Sequence, residues 1–339
     1  MTVLSATATE DDSGKRLDRF FSDRFEEISR SRAKTLIKQG SAATIDGAAT
    51  DDPRRAVIEG KTYALELPAP VAAIPEPEDI PLDILHEDEH LIVLNKPSGM
   101  AVHPAPGSWQ GTLVNALLHH CEGELPGIGG VERPGIVHRL DKLTTGVMVC
   151  AKSEAAHRGL SDQFAEHSIE RAYLAFTRGA PRPLVGTVDE RIARSKNDRK
   201  KMAVVRNPDS EHGRHAITHY QTKASYGLLD KASGLPATAM IECRLETGRT
   251  HQIRVHMAHI GAPLIGDPVY GKNRGIRSWG SGDAHAAATT AARKLPRQAL
   301  HAAILGFIHP ISKEPVRFEQ ALPEDLSELK GLLEKMPKG

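Results

Sequence analysis

Apolar residues near the N-terminus first repeat at helical spacing and then alternate as they do in strands. A second predicted helix is capped by Ser29 or Ser31 and ends at Gly40. Residues 1–13 are polar and rich in Thr, Ala and Asp, so we expect no regular structure there. The pattern predicts two helices and a small hairpin, with apolar stripes at Leu17, Phe20, Phe21, Ala33, Leu36 and Ile37 and strands over 43–45 and 63–67.

After five prolines between positions 68 and 81, which predict an extended linker over 69–81, the pattern changes to strands mixed with longer helices. Residues 272–296 are first Gly/Ser-rich and then Ala/Thr-rich, and we interpret them as an insertion, partly mobile. The predicted elements are strands over 84–86, 91–94, 171–176 and 241–246 and helices over 111–121, 154–166 and 323–336. A chain of 339 residues is long enough for two domains, which we place at 14–68 and 82–329.

Positive charge is clustered, although the net charge of the chain is only +1. Arg30, Lys34 and Lys38 recur every four residues and form a row on one face of the second helix. Between residues 191 and 206, seven Lys or Arg accompany one acid. Either cluster could be plain solvated surface, which is the more typical explanation for the row on the helix taken alone, whereas the density of the second cluster favours contact with phosphate groups. The candidate RNA-binding residues of the second cluster are Lys196, Arg199, Lys200 and Lys201.

Several classes of protein are disfavoured. The three cysteines are far apart, which is not typical of a disulfide framework or a zinc site. His119-His120-Cys121 lacks the spacing of metal ligands, and we expect no metal. There is no signal-peptide pattern at the N-terminus and no apolar run of membrane-spanning length. We therefore expect a cytoplasmic protein without membrane contact, and a monomer.

The stretch from Gly135 to Val149 carries the strongest candidate chemistry. Apolar residues at both ends flank a charged middle that delivers Arg139 and Asp141 to one place. Charged residues are seldom buried unless they are paired or functional. Taken alone, the stretch could also be a strand, a turn with a surface ion pair, and a second strand.

Two motifs resemble the RluA family of pseudouridine synthases. His138-Arg139-Leu140-Asp141, followed by Thr144-Thr145-Gly146, is similar to the family signature. The run from Gly248 to His256, Gly-Arg-Thr-His-Gln-Ile-Arg-Val-His, is similar to a second family motif over nine consecutive residues. Leu143 departs from the pattern, because an acidic residue usually stands there, and this leaves the local hydrogen bonding at the turn in question.

The resemblance implies a role for each matching residue. Asp141 would be the catalytic nucleophile, Tyr173 would stack on the uracil ring, and Arg254 would pair with Asp141. Lys96, in a third family-like segment, is interpreted as scaffold of the cleft. The residues we expect to position or bind substrate are Arg139, Thr145, Arg249, His251 and Gln252.

The resemblance also implies a fold and a reaction. The fold would be α+β, with an S4-like RNA-binding domain at 14–68 and a catalytic domain with a mainly antiparallel mixed sheet and a central cleft. The reaction would convert uridine to pseudouridine in 23S ribosomal RNA, free or in the assembling large subunit, and it needs no cofactor because nothing is oxidised. A transfer RNA target, a catalytically silent ribosome-assembly factor and a carboxylate-based glycoside hydrolase are the alternatives.

Overall fold

The computed structural model divides the chain into two compact units, Met1–Ala73 and Ile74–Gly339. The structure describes the whole chain except residues 1, 26–27, 39, 41, 68–74, 105–107, 123–124, 126–134, 196–197, 199–200, 206, 208–209, 211, 272–274, 278–279 and 338–339. Part of the predicted linker, 69–74, therefore lies outside the described residues.

The N-terminal unit packs two helices on an antiparallel sheet, which has the strand order β1-β4-β2-β3 in the described residues. Phe20 and Phe21 of the first helix are fully buried, and the Phe20 ring lies 5.2 Å from the ring of Tyr63. The helical stripes predicted from the sequence therefore form the core of this unit. The elements are β1 (Thr2–Thr7), α1 (Leu17–Arg24), α2 (Arg30–Ile37), β2 (Ala43–Ile45), β3 (Ala48–Ala49) and β4 (Thr62–Leu67).

The expectation that residues 1–13 lack regular structure is wrong. Strand β1 pairs with β4 along its whole length, from Thr2 opposite Leu67 to Thr7 opposite Thr62. Its backbone groups gain partners on β4, and Leu4 is buried in the core. A polar, Thr-rich sequence can form a strand when one face is covered and the other meets water.

The larger unit is built on one long sheet of ten strands in the described part of the chain. Nine follow the order β10-β9-β11-β12-β8-β13-β7-β6-β5, and β14 pairs with β13. All pairings are antiparallel except β13 with β7, and this confirms the predicted α+β fold with a mainly antiparallel sheet. The strands are β5 (Ile84–Glu87), β6 (Leu91–Lys96), β7 (Thr145–Ala151), β8 (Glu170–Arg178), β9 (Val185–Arg194), β10 (Met202–Val204), β11 (Arg214–Leu229), β12 (Pro236–Leu245), β13 (Leu300–Ile308) and β14 (Pro315–Glu319).

The parallel contact of β7 with β13 explains one glycine of the signature. Gly146 has a φ of +121° and lies opposite Ala302. A Cβ atom there would collide with the backbone of Ala302, so no larger residue fits. The glycine lets the strand that follows the signature reach the centre of the sheet.

Five helices cover the sheet in the described residues: α3 (Leu113–His120), α4 (Glu154–Ala165), α5 (Gln252–His259), α6 (Asp283–Lys294) and α7 (Glu324–Glu334). Helix α6 lies inside the segment expected to be a partly mobile insertion. Its Ala288 and Ala292 are buried in one cluster with Leu329 of α7. Residues 283–294 are thus part of the packed core, while 272–274 and 278–279 are not described.

Candidate active site

Asp141 lies in a tight turn immediately before β7. The Asp141 carbonyl accepts a hydrogen bond of 2.9 Å from the Thr144 N–H. On the other side of the turn, the Lys142 carbonyl accepts from the Gly99 N–H at 2.9 Å and from Lys96 Nζ at 3.2 Å. The backbone around Asp141 is therefore fixed from both sides.

Lys96 is a buried scaffold of this turn. Its ammonium group also donates to the carbonyls of Pro97 and Met100, at 2.7 and 2.9 Å, so all three of its protons point at carbonyl oxygens. Burial lowers the pKa of Lys96 to about 7, while the nearby Asp141 charge opposes that shift. These contacts agree with the interpretation of Lys96 as scaffold.

Leu143 does not disturb the turn. Its carbonyl accepts from Ser98 Oγ at 3.3 Å and from Arg297 Nη1 at 3.4 Å. These bonds use the backbone, so an acidic side chain is not required for them. The local hydrogen bonding left in question by the sequence is present.

Arg254 joins two carboxylates. Its Nη1 donates to Asp141 Oδ2 at 2.8 Å, so the pairing implied by the resemblance is present. Its Nε and Nη2 form a fork on the fully buried Asp267, at 2.7 and 3.0 Å. Asp267 also accepts from the N–H groups of Val269 and Tyr270. The arginine is thus held rigidly by Asp267 and presents its remaining nitrogen to Asp141.

The electrostatics follow from this chain of contacts. Burial alone would lower the pKa of Arg254, but Asp267 and Asp141 hold it above its ordinary value. Burial alone would raise the pKa of Asp267, but Arg254 and two backbone N–H groups hold it below its usual range. The site therefore contains a permanent cation placed against the Asp141 carboxylate.

Asp267 was missed as a site residue. An acid in a Gly-Asp-Pro turn is most often a local turn residue, and no sequence spacing links it to Arg254 thirteen positions earlier. The only available signal was that Arg254 lies on a largely buried helix and needs charge compensation.

Tyr173 and Asp141 line the same cavity of about 480 Å³. Tyr173 lies on β8 and is only 8% exposed. Burial raises the pKa of its phenol, an effect that Arg171 opposes and Asp141 reinforces, so the hydroxyl is protonated at neutral pH. Leu300 and Ile253 also line the cavity, which has the size and mixed polarity of a small-molecule or nucleotide pocket.

His251 and Tyr270 form a second polar group beside the carboxylate. His251 Nε2 lies 3.9 Å from Asp141 Oδ2, and its Nδ1 lies 2.9 Å from the Tyr270 hydroxyl. Burial lowers the pKa of His251, so its ring is neutral at pH 7. The Tyr270 ring also faces the Arg254 guanidinium at 5.1 Å.

The other predicted substrate-binding residues fall into two groups. Arg139 is exposed and lines the cavity, as does Arg249, whose Nε donates to the His215 carbonyl at 3.0 Å. Thr145 does not line it and is hydrogen-bonded to His301 at 2.9 Å.

Gln252 also borders the cavity, but both ends of its amide are engaged internally. Its oxygen accepts from Thr247 Oγ1 and the Arg249 N–H, and its nitrogen donates to the Ile217 carbonyl and Thr218 Oγ1. The side chain therefore braces helix α5 against β11.

None of the candidate RNA-binding cations that the structure describes is among the residues lining the cavity. Arg30, Lys34 and Lys38 are exposed on or at the end of α2, and Arg30 lies 3.4 Å from the carboxylate of Asp18. Lys201 lies in the connection between β9 and β10, which pair as an antiparallel hairpin. Lys196, Arg199 and Lys200 lie outside the described residues.

Two features are absent from the described parts of the chain. No group of three or more His, Cys, Asp or Glu side chains there is arranged to hold a metal ion. None of the helices described has the length and apolar character needed to span a membrane.

One cavity of nucleotide size is thus lined by a carboxylate, the buried arginine paired with it, and a tyrosine. This combination suits chemistry on a nucleotide extracted from its strand. Comparison with known proteins specifies the class. A sequence model of the RNA pseudouridylate synthase family matches residues 90–259.

Full-length relatives agree with this match. The chain is 48% identical over 326 residues to ribosomal large subunit pseudouridine synthase D of Zymomonas mobilis, and the alignment covers 96% of each protein. It is 42% identical to the protein of the same name from Escherichia coli O6:H1, over 96% of this chain and 93% of that protein. A solved structure of human RNA pseudouridylate synthase domain containing 4 has a TM-score of 0.54 and 28% identity, covering 75% of this chain and 94% of that one.

The chain therefore belongs to the RluA family of RNA pseudouridine synthases, and the two full-length relatives named above are of the D type. It is an isomerase that acts on RNA.

Proposed function

We propose that the protein isomerises specific uridines of 23S ribosomal RNA to pseudouridine, with Asp141 as the nucleophile. The target is supported by the relatives named for the large ribosomal subunit. The nucleophile is supported by one observation above all: Asp141 pairs with Arg254 through a single oxygen while lining the same cavity as Tyr173.

The chemistry requires one bond to break and another to form on the same ribose. Attack of the Asp141 carboxylate on C1′ would break the N1–C1′ bond, and the bonding electrons would leave with the uracil ring. The ring then rotates while Tyr173 holds its face, and C5 forms a bond to C1′ as Asp141 departs. A proton is lost from C5, and N1 gains one, through water or Tyr173. An alternative first step, in which Asp141 removes a ribose proton, uses the same geometry.

Arg254 has two tasks in this scheme. It places a positive charge against the carboxylate before attack, and it stabilises the carboxylate that is regenerated at the end. Because Asp267 fixes the guanidinium with two hydrogen bonds, the orientation of Arg254 does not depend on substrate. Asp267 is a positioning residue.

RNA outside the cavity would be bound by surface cations. We propose that the exposed row of Arg30, Lys34 and Lys38 in an S4-like N-terminal unit contacts phosphates, as would the hairpin that carries Lys201. Arg139 and Arg249 line the cavity and would hold the extracted nucleotide. We further propose that the protein works as a monomer in the cytoplasm, where assembling subunits are available.

A tritium-release assay tests the proposal. Isomerisation frees the hydrogen on C5, so 23S and transfer RNA transcripts labelled with [5-³H]uridine should release tritium to water. We expect release from the 23S transcript with wild-type protein and none with Asp141→Asn. Release only from transfer RNA would contradict the target. Tight RNA binding without release would favour the assembly factor, and free uracil would favour the hydrolase.

A further inference from the structure

Arg171 is a buried cation that lacks a carboxylate partner in the described residues. It is 7% exposed, and its Nη2 donates to the carbonyls of Leu245 and Glu246, at 3.2 and 2.7 Å. Its Nε is buried and has no hydrogen-bond partner there. A buried charge in this condition is costly unless a ligand completes it.

Two acids could be expected to pair with Arg171, one adjacent in sequence and one that it contacts through the backbone, but both side chains are engaged elsewhere. Glu170 forms ion pairs with Arg244 and Arg317, at 2.9 and 3.2 Å. The Glu246 side chain contacts His219 at 2.6 Å, so only its backbone carbonyl faces Arg171. The charge of Arg171 is therefore available to whatever enters the cavity.

The position of Arg171 points to the uracil ring. It precedes Tyr173 by two residues on β8, so the two side chains leave the same face of the strand, and both line the cavity. The Phe164 ring lies against the guanidinium at 5.4 Å and fixes its plane. Whatever stacks on Tyr173 is thus next to Arg171.

We propose that Arg171 donates a hydrogen bond to a carbonyl oxygen of the extracted uracil and stabilises the negative charge that the ring acquires during glycosidic cleavage. This rests on the proposed isomerase function. When the N1–C1′ bond breaks, its electron pair leaves with the uracil and is delocalised onto the carbonyl oxygens. No proton has to be transferred at that moment, because the fixed Arg171 guanidinium stabilises the negative charge on the uracil carbonyl oxygen directly. When C5 attacks C1′, the electron pair forms the new bond and the ring becomes neutral again.

A phosphate group is a poorer fit to this cation. Arg171 lies deep beside Tyr173 and Phe164, whereas a phosphodiester backbone would follow exposed cations such as Arg139. The adjacent His138 adds no charge, because burial, with a smaller contribution from Arg171, lowers its pKa to about 3. A planar base, neutral at first and anionic after cleavage, suits these surroundings.

The test compares Arg171→Met with Arg171→Lys and a matched control, Arg244→Met. Arg244 lies on β12 next to β8, is about half exposed and does not line the cavity. Single-turnover tritium release would be measured on an RNA transcript that wild type modifies and Asp141→Asn does not. Loss of the wild-type signal itself would refute the proposed function and not this inference alone.

We expect Arg171→Met to slow the single-turnover rate about 100-fold, as removal of a charge-stabilising donor does, with RNA affinity changed less than about threefold. Arg171→Lys should recover part of the rate, and Arg244→Met should behave as wild type. A loss confined to RNA affinity, or an equal loss in Arg244→Met, would overturn the proposal.

A second substrate separates charge stabilisation from a purely structural role, in which Arg171 would only tie β8 to residues 245–246. In RNA with 5-fluorouridine at the target, fluorine itself stabilises the uracil anion. The loss of fluorouridine, followed by mass spectrometry of nuclease digests, should then slow by less than about tenfold in Arg171→Met. An equal defect on both substrates would show that Arg171 acts only on structure.

Discussion

Two aspartates, one in each unit, show how similar side chains serve different ends. Asp12 in the N-terminal unit accepts hydrogen bonds from Lys15, Arg24 and both the N–H and hydroxyl of Thr9. Asp141 is held through Oδ2 by Arg254, and its Oδ1 has no hydrogen bond among the described residues. Asp12 is 3% exposed, while the side chain of Asp141 is 18% exposed. A saturated carboxylate stabilises the fold; a carboxylate with one open oxygen, facing a cavity, is available to react.

Asp267 refines the comparison. It is as fully bonded as Asp12, yet it lies next to the reactive group, and its bonds serve to orient Arg254. Asp141 is therefore distinguished not by its nearness to the cavity but by its Oδ1 atom, which accepts no hydrogen bond among the described residues.

The largest expected effect separates the two carboxylates. Asp141→Asn should reduce isomerisation by at least about 10³-fold with little change in melting temperature, because the amide is a far weaker nucleophile of the same shape. Asp12→Asn should do the reverse, lowering the melting temperature while turnover at 25 °C is retained. Tritium release and thermal denaturation of both variants check this. If both variants changed turnover and melting temperature in the same way, the distinction between a reactive and a structural carboxylate would be contradicted.

Arg254→Met should affect both activity and stability. It leaves two acids without their cation, one of them fully buried, and removal of one partner of a buried pair costs about 3–5 kcal/mol of unfolding free energy. Arg24→Met is the matched variant in the other unit. Because Asp12 keeps Lys15 and Thr9, and Arg24 is partly exposed, we expect a loss of about 1 kcal/mol and normal turnover. Urea denaturation measures the unfolding free energy of both variants. Equal losses would contradict the claim that the buried Asp267 depends on Arg254 for its charge compensation.

The pH dependence of stability should report Asp12. Its hydrogen bond from Lys15, aided by Arg24 and Thr9 against the effect of burial, holds the pKa of this carboxyl far below its usual range. A lowered folded-state pKa adds stability that is present above the unfolded value, near 4, and is lost as the pH falls below it. As the pH falls from 5 to 2, the unfolding free energy should therefore decrease less in Asp12→Asn than in the wild type. We expect the two decreases to differ by about 2 kcal/mol. Parallel curves for wild type and variant would show that Asp12 is not stabilised in this way.

The smallest effect is expected on the RNA-binding surface. Lys34→Ala should weaken RNA binding a few-fold and reduce the slope of log affinity against log salt by about one unit, without changing the single-turnover rate at saturating protein. Lys330→Ala, which removes a partly exposed lysine of α7 in the larger unit, is the control. Filter binding at several salt concentrations distinguishes them. An unchanged salt slope in Lys34→Ala would remove α2 from the proposed interface.

Much of the fold was predictable because its signals are local. The stripes of α1 and α2 and the end of the chain at α7 follow from apolar spacing over a few residues. Ser29, one of two candidate caps, is the actual one, since its Oγ accepts from the Arg32 N–H. Strand β1 was not predicted, because its pairing partner lies some sixty residues away and three of its six residues are Thr or Ser in a largely polar N-terminal segment.

The candidate site also combines features that the sequence predicts with features that depend on contacts between distant residues. Asp141, Tyr173 and Arg254 were proposed through resemblance to a family; the structure places all three around one cavity, with Asp141 and Arg254 in direct contact. Resemblance did not predict which side chains are free to contact substrate. Thr145 and Gln252 were expected to bind substrate, but both form hydrogen bonds within the protein. Those differences depend on contacts between distant strands, which no motif encodes.

The most direct test of the account is to map pseudouridine in a host that lacks its own synthases and expresses either the wild-type chain or Asp141→Asn. The account predicts new pseudouridines in 23S ribosomal RNA with the wild type and none with the variant, although both proteins fold and bind RNA. New sites that persist with Asp141→Asn, or that occur only outside ribosomal RNA, would contradict it.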